Sequence, residues 1–134
     1  MTYAGLTVAY WTVLVAALLP ILCSSIAKWG AFGTPRHQGG YDNHDPRAWL
    51  ARQGGWRARA NAAQANSFEA LPFYIGAVII AHQHAPLQMR LDLLCFFYVV
   101  LRLVYILFYL ADLALLRSVA WTLALGLNIS LLFL

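Results

Sequence analysis

Asn66-Ser67-Phe68-Glu69-Ala70-Leu71-Pro72-Phe73 places one carboxylate, Glu69, inside a long apolar stretch. An ionised side chain near the centre of a membrane helix costs about 2.5–3.5 kcal/mol on insertion scales. A chain that keeps such a residue gives it a partner or a polar ligand, so the surroundings of Glu69 decide how the chain is read.

Working outward, apolar residues make up 62% of the 134 and charged residues 10%. A soluble domain of this length has no interior large enough for that much apolar surface. Residues 1–27 carry no charge, nor do 118–134, nor 70–89 with neutral histidines. Residues 91–116 are apolar except for Asp92, Arg102 and Asp112. Each run approaches the roughly 17–25 residues that cross a bilayer. The expectation is an all-α membrane protein, a four-transmembrane-helix bundle forming one domain over 1–134. Its helices cover about 6–26, 56–82, 87–113 and 116–134, with a polar loop at 28–55. The first run lacks the basic start of a signal peptide and is too long for one, so it reads as a retained helix.

Lys28, Arg36, Arg47, Arg52, Arg57 and Arg59 fall in or beside the first loop, and Arg117 in the third on the same side. This bias puts loops one and three in the cytoplasm and both termini outside. Orientation accounts for the +4 charge, so no nucleic-acid partner is expected. Cys23 and Cys95 lie within apolar runs and read as small buried hydrophobes. Asp45-Pro46 reads as an N-cap followed by proline at the first helical position. Trp49 and Trp56 suit the membrane interface. Pro20 is expected to kink helix one, and His82-Gln83-His84-Ala85-Pro86 to form a tight external turn. No third ligand joins His82 and His84, so no metal site is expected. Asn128-Ile129-Ser130 fits a glycosylation pattern but lies inside helix four.

Two stripes carry polar chemistry. Arg59, Asn66, Glu69 and Phe73 share one face of helix two, offering a cation, an amide and an anion. Cys95, Tyr98, Arg102, Tyr105, Tyr109 and Asp112 recur at alternating spacings of three and four on helix three. Such stripes face the bundle interior or a wet cavity, never lipid. Spacing alone leaves three readings open: a buried Glu69–Arg102 pair that locks helices together, a ligand site, and an ion or proton path. Four helices leave little room for a pore within one chain.

Helix two resembles the signature of the membrane-associated proteins in eicosanoid and glutathione metabolism, the MAPEG family. There an arginine precedes an Asn-x-x-Glu-x-x-Pro motif, here Arg59 and then Asn66 to Pro72. A tyrosine-bearing helix three followed by an Arg-Ser pair also agrees, here Arg102-x-x-Tyr105-x-x-x-Tyr109 and then Arg117-Ser118. The resemblance spans nearly the whole chain. It implies a homotrimer binding glutathione as co-substrate in clefts between protomers. Arg59, with Arg57 or Arg102, would clamp its carboxylates, Glu69 its ammonium, and Asn66 its peptide portion, with Tyr105 and Tyr109 lining the site. Arg117 and Ser118 would favour the thiolate, and an apolar second substrate would arrive through the membrane lipid. The implied activity is a glutathione-dependent transferase or peroxidase acting on apolar electrophiles or lipid hydroperoxides. No targeting sequence is evident, which fits a bacterial inner membrane. This chain departs from the pattern at Ala62 and Ala63, where several active members carry a further arginine. It departs again at Trp121, where some have tyrosine. A non-catalytic lipid-binding or scaffolding protein of the same fold is the alternative.

Overall fold

The computed structural model describes residues 2–84 and 87–134. Ala85 and Pro86, where the tight external turn was expected, lie outside the described residues. The chain opens not with helix but with a small antiparallel hairpin, β1 Thr2–Tyr3 and β2 Leu6–Thr7, Thr2 opposite Thr7. Ala4 and Gly5 both take positive φ, 51° and 77°, which gives a two-residue turn the twist that hairpins need. Helix α1 therefore begins at Val8 rather than Leu6 and runs to Lys28. Two oxygens cap it: Thr7 Oγ1 accepts from Tyr10 N–H, and Asp92 on another helix accepts from Ala9 N–H at 2.9 Å. Pro20 lies within α1, which continues through it.

The polar loop folds onto the end of the bundle. Helix α2, Pro46–Ala51, starts as expected, with Asp45 accepting from Ala48 N–H. Trp49 is not an interface anchor: it is 3% exposed and donates its indole N–H to Gly39 O. Trp56 does face outward. Gly40 cannot be replaced cheaply, because a Cβ would collide with the Thr34 carbonyl. The His44 N–H and then the Arg36 guanidinium hold the Asp42 carboxyl below its ordinary range. That turn is thus fully held at neutral pH and loosens as pH falls through the acid range.

Three long helices complete the chain: α3 Gly55–Gln83, α4 Gln88–Leu110 and α5 Ala114–Ser130. They correspond to expected helices two, three and four. α1, α4 and α5 with its short extension to Phe133 are long and apolar enough to cross a membrane. α3 has the length but not the composition, since it carries Arg57, Arg59, Asn61, Gln64, Asn66 and Glu69. Asp112 is a correction to the α4 stripe. The helix ends at Leu110, and Asp112 adopts φ 61° in the connection to α5, a left-handed conformation that Asp tolerates.

α1 lies along α3 and α4, and α4 lies along α5. Ala9, Ala16 and Ala27 on α1, and Ala60, Ala63, Ala77 and Ala81 on α3, are nearly inaccessible. Side chains this small let helix backbones approach closely, the packing that works where lipid supplies no hydrophobic drive. Between α1 and α3, Tyr74 Oη meets Thr12 Oγ1 at 2.6 Å, and the Tyr74 ring stacks on Tyr98. Tyr74→Phe keeps the stack and loses this bond together with the longer one to the Cys95 carbonyl, so about 0.5–1.5 kcal/mol of stability is expected to go. An unchanged melting temperature would show the bond to be idle. α3 and α5 touch little, so a crevice opens between them with α4 as its floor.

Candidate functional site

That crevice, about 200 Å³, is lined by Asn66, Glu69 and Phe73 of α3, Tyr98 and Arg102 of α4, and Trp121 and Asn128 of α5. A second, about 390 Å³, is lined by Tyr105, Tyr109, Arg117, Ser118, Trp121 and Thr122. Trp121 is a wall of both, so polar groups from Glu69 to Arg117 follow one face of the molecule.

Arg102 is the centre of the first. It is 3% exposed; Nη2 donates to Asn66 Oδ1 at 2.9 Å and lies 3.4 Å from Ser67 Oγ. Its guanidinium carbon stands 4.5 Å from the Tyr105 ring centroid. Tyr105 meets Tyr109 edge-on at 5.6 Å, and Arg117 covers Tyr109 at 4.4 Å. The stripe of α4 thus becomes a ladder of two phenols with a cation at each end. Rings hold guanidinium groups through their negative faces, which leaves the outer N–H donors for a ligand.

Glu69 is exposed and forms no ion pair with Arg102 or any other described residue. The locked Glu69–Arg102 pair is therefore not what the chain builds. Asn66 and Ser67 take the place of the carboxylate, and the Arg102 charge has no anion among the described residues.

Not every expected residue gathers at the crevice. Arg59 Nε donates to the Leu110 carbonyl, tying α3 to the end of α4. Arg57 donates to the Ala27 carbonyl and lies against Trp56. Ser118 donates to Ala114 O one turn back. The Arg117 N–H is already bonded to Leu113 O, so the α5 terminus offers this region its dipole rather than that donor. His82 is structural: Nδ1–H donates to Val78 O, Nε2 meets Thr7 Oγ1, and the ring stacks on Tyr10.

A family model, MAPEG family, matches residues 8–134. The chain is a member of the MAPEG family. It is an integral membrane protein by that membership and by its three apolar helices. No match was found among curated proteins or solved structures.

Sequence reasoning did not place Asn128 at the crevice; this MAPEG protein buries it there at 3% exposure, its Oδ1 without a partner among the described residues. The signal was there: Arg117, Trp121, Ala124 and Asn128 fall at spacings of four, three and four, one face of α5.

Proposed function

We propose that this MAPEG protein binds glutathione along the Glu69–Arg102–Arg117 face and presents its thiolate to an apolar electrophile or a lipid hydroperoxide. The observation that carries this reading is Arg102, a buried guanidinium with no ion-pair partner among the described residues, opening on a crevice that Glu69, likewise unpaired among them, also lines. A buried charge of that kind is costly until an anion arrives. Glutathione carries two carboxylates and one ammonium, the complement of Arg102 and Glu69. The phenols of Tyr105 and Tyr109 line the path onward, and Arg117 with Ser118 stands where the sulfur would lie. A guanidinium there favours the thiolate, the reactive form.

In this reading α3 is the fourth span, and copies of the chain assemble as a homotrimer. Glu69 is exposed, Asn61, Gln64 and Asn66 are half-buried, and Gln64 Oε1 has no partner among the described residues. A helix carrying these groups at its surface does not suit lipid and is covered by a neighbouring protomer. The basic first loop then lies on the cytoplasmic side of a bacterial inner membrane.

Saturable glutathione binding by the purified protein, with growth of thiolate absorbance, tests the proposal; absence of both refutes it. Glu69→Gln removes the ammonium's counter-charge without disturbing any bond within the chain. It is expected to weaken glutathione about tenfold at unchanged melting temperature, and unaltered affinity would remove Glu69 from the site. A second reading, a non-catalytic lipid binder, draws on Arg59 being held by the Leu110 carbonyl and on the bulk of Trp121. It requires that neither signal appear.

A further inference from the structure

We infer that the Lys28 end of α1 holds a site for an anionic phospholipid, a second binding function separate from the Glu69–Arg102–Arg117 face. A recess of about 710 Å³ opens there, with Ile21, Ser24, Lys28, Trp29, Gly30 and Phe32 among its walls. Lys28 ends the helix, and Trp29 and Phe32 stand 75% and 71% exposed just beyond it. An exposed tryptophan at a span's end belongs at headgroup level. Ile21 lies seven residues back, ~10 Å of helix rise, where it meets hydrocarbon. The recess therefore runs from the headgroups into the upper acyl region, as a single lipid does.

Charge selects which lipid. Lys28 Nζ rests 4.9 Å from the Tyr41 ring centroid, a contact that leaves N–H donors free on its far side. Arg57 gives Nη1 to the Ala27 carbonyl at 2.8 Å, and a Cβ placed on Gly30 would lie 4.0 Å from Nη2 of the same guanidinium. Two cations thus border the recess, and among the described residues no acid lines it. Seven of the nine basic residues belong to this end of the bundle, against three of the five acids, Asp42, Asp45 and Asp112. Asp42 is held by Arg36, and Asp45 caps α2.

A phosphodiester supplies the missing negative charge, and Ser24 adds a hydroxyl donor for an ester oxygen. A zwitterionic headgroup would bring an ammonium against Lys28 and Arg57, whereas a glycerol headgroup brings none. A lysine closing a helix also offsets its dipole, but that role requires neither the recess nor the exposed rings. The volume falls within the roughly 300–1,000 Å³ of small-molecule sites, room for a headgroup and the first part of a chain.

Native mass spectrometry of the purified, delipidated protein in detergent tests this. Short-chain phosphatidylglycerol and phosphatidylcholine of equal length are offered together. A preference of about twentyfold for the glycerol lipid is expected, since each cation contributes about fivefold. Lys28→Gln should cut it to about fivefold. Ser24→Leu fills the recess while keeping both cations. It should abolish binding of either lipid, which decides the matter if the glutamine variant fails to fold. Arg52→Gln removes an exposed charge at the same end but outside the recess, and should change nothing. A preference that survives both recess variants, or falls as far in Arg52→Gln, reports diffuse surface charge and overturns the site. Equal binding of the two lipids by wild type overturns it as well. So does no binding, the result if a neighbouring protomer covers this face. Inorganic phosphate that displaces the lipid at equal concentration would reveal a free-anion site and refute the lipid assignment. Glutathione is absent throughout, so failure here leaves its binding face untouched.

Discussion

Arg102→Leu is expected to lower glutathione affinity by about two orders of magnitude while the bundle stays folded. Truncating one partner of a buried, hydrogen-bonded charge pair costs about 2–5 kcal/mol or more, and each 1.4 kcal/mol is tenfold in affinity. The unliganded protein tells the other half. Leucine gives up the bonds to Asn66 and Ser67, yet it also removes a buried cation that no carboxylate of the described chain balances. These effects oppose each other, so the melting temperature should move by only a few degrees. Arg102→Lys is the informative companion. It keeps the charge but not the planar fork that grips a carboxylate at two points, and its affinity should fall between the other two. Calorimetric titration and thermal melts of all three proteins check this. Wild-type affinity in the leucine variant would make Arg102 a helix-locking residue only.

How much of this was written in the sequence depends on the kind of signal. The apolar runs that became α1, α4 and α5 were legible, because a bilayer demands length and apolarity and little else mimics them. Asp45-Pro46 announced α2 for an equally local reason. The spacing of Tyr98, Arg102, Tyr105 and Tyr109 put these side chains on one face of α4, and that face lines the two crevices. What failed was set by conformation or by distant partners. The hairpin turn uses Ala4 at positive φ, which residue preference argues against. Asp112 left its stripe because the helix stops at Leu110. Trp49 went inward because the loop closes around it, and composition does not record that closure. The Glu69–Arg102 pair looked natural from charge alone. The fold gave the guanidinium to Asn66 and left Glu69 exposed, a choice visible only once three helices are in place. Asn128 read only as part of a glycosylation pattern inside an apolar helix, although its spacing from Trp121 put it on the face that lines the crevice.

Arg117→Ala separates activation of the thiol from its capture, and pH is the variable that does so. Arg117 lies half-buried over the Tyr109 ring, beside Ser118 and Thr122 in the second crevice. A cation next to the bound sulfur stabilises the thiolate and so lowers the thiol pKa. A shift from ~8.5 to ~6.5 corresponds to about 2.7 kcal/mol. Wild type should therefore show thiolate absorbance appearing around pH ~6.5, and the alanine variant only around ~8.5. Linkage fixes the sign for binding. Below about pH 6 the thiol is protonated whether bound or free, so Arg117 adds nothing and the two proteins should bind glutathione equally. As pH rises the wild-type complex sheds a proton that free glutathione still holds, and its affinity climbs. By pH 8 the wild type should bind about twentyfold more tightly than the variant. Absorbance and affinity measured across pH 5.5 to 8.5 give both curves from one set of samples. An affinity gap already present at pH 5.5 would mean that Arg117 grips the ligand elsewhere than at its sulfur. Overlapping absorbance curves would mean that the thiolate owes it nothing. Either result moves the reacting end of the site away from α5, because Arg117 is the cation that the second crevice offers at that end.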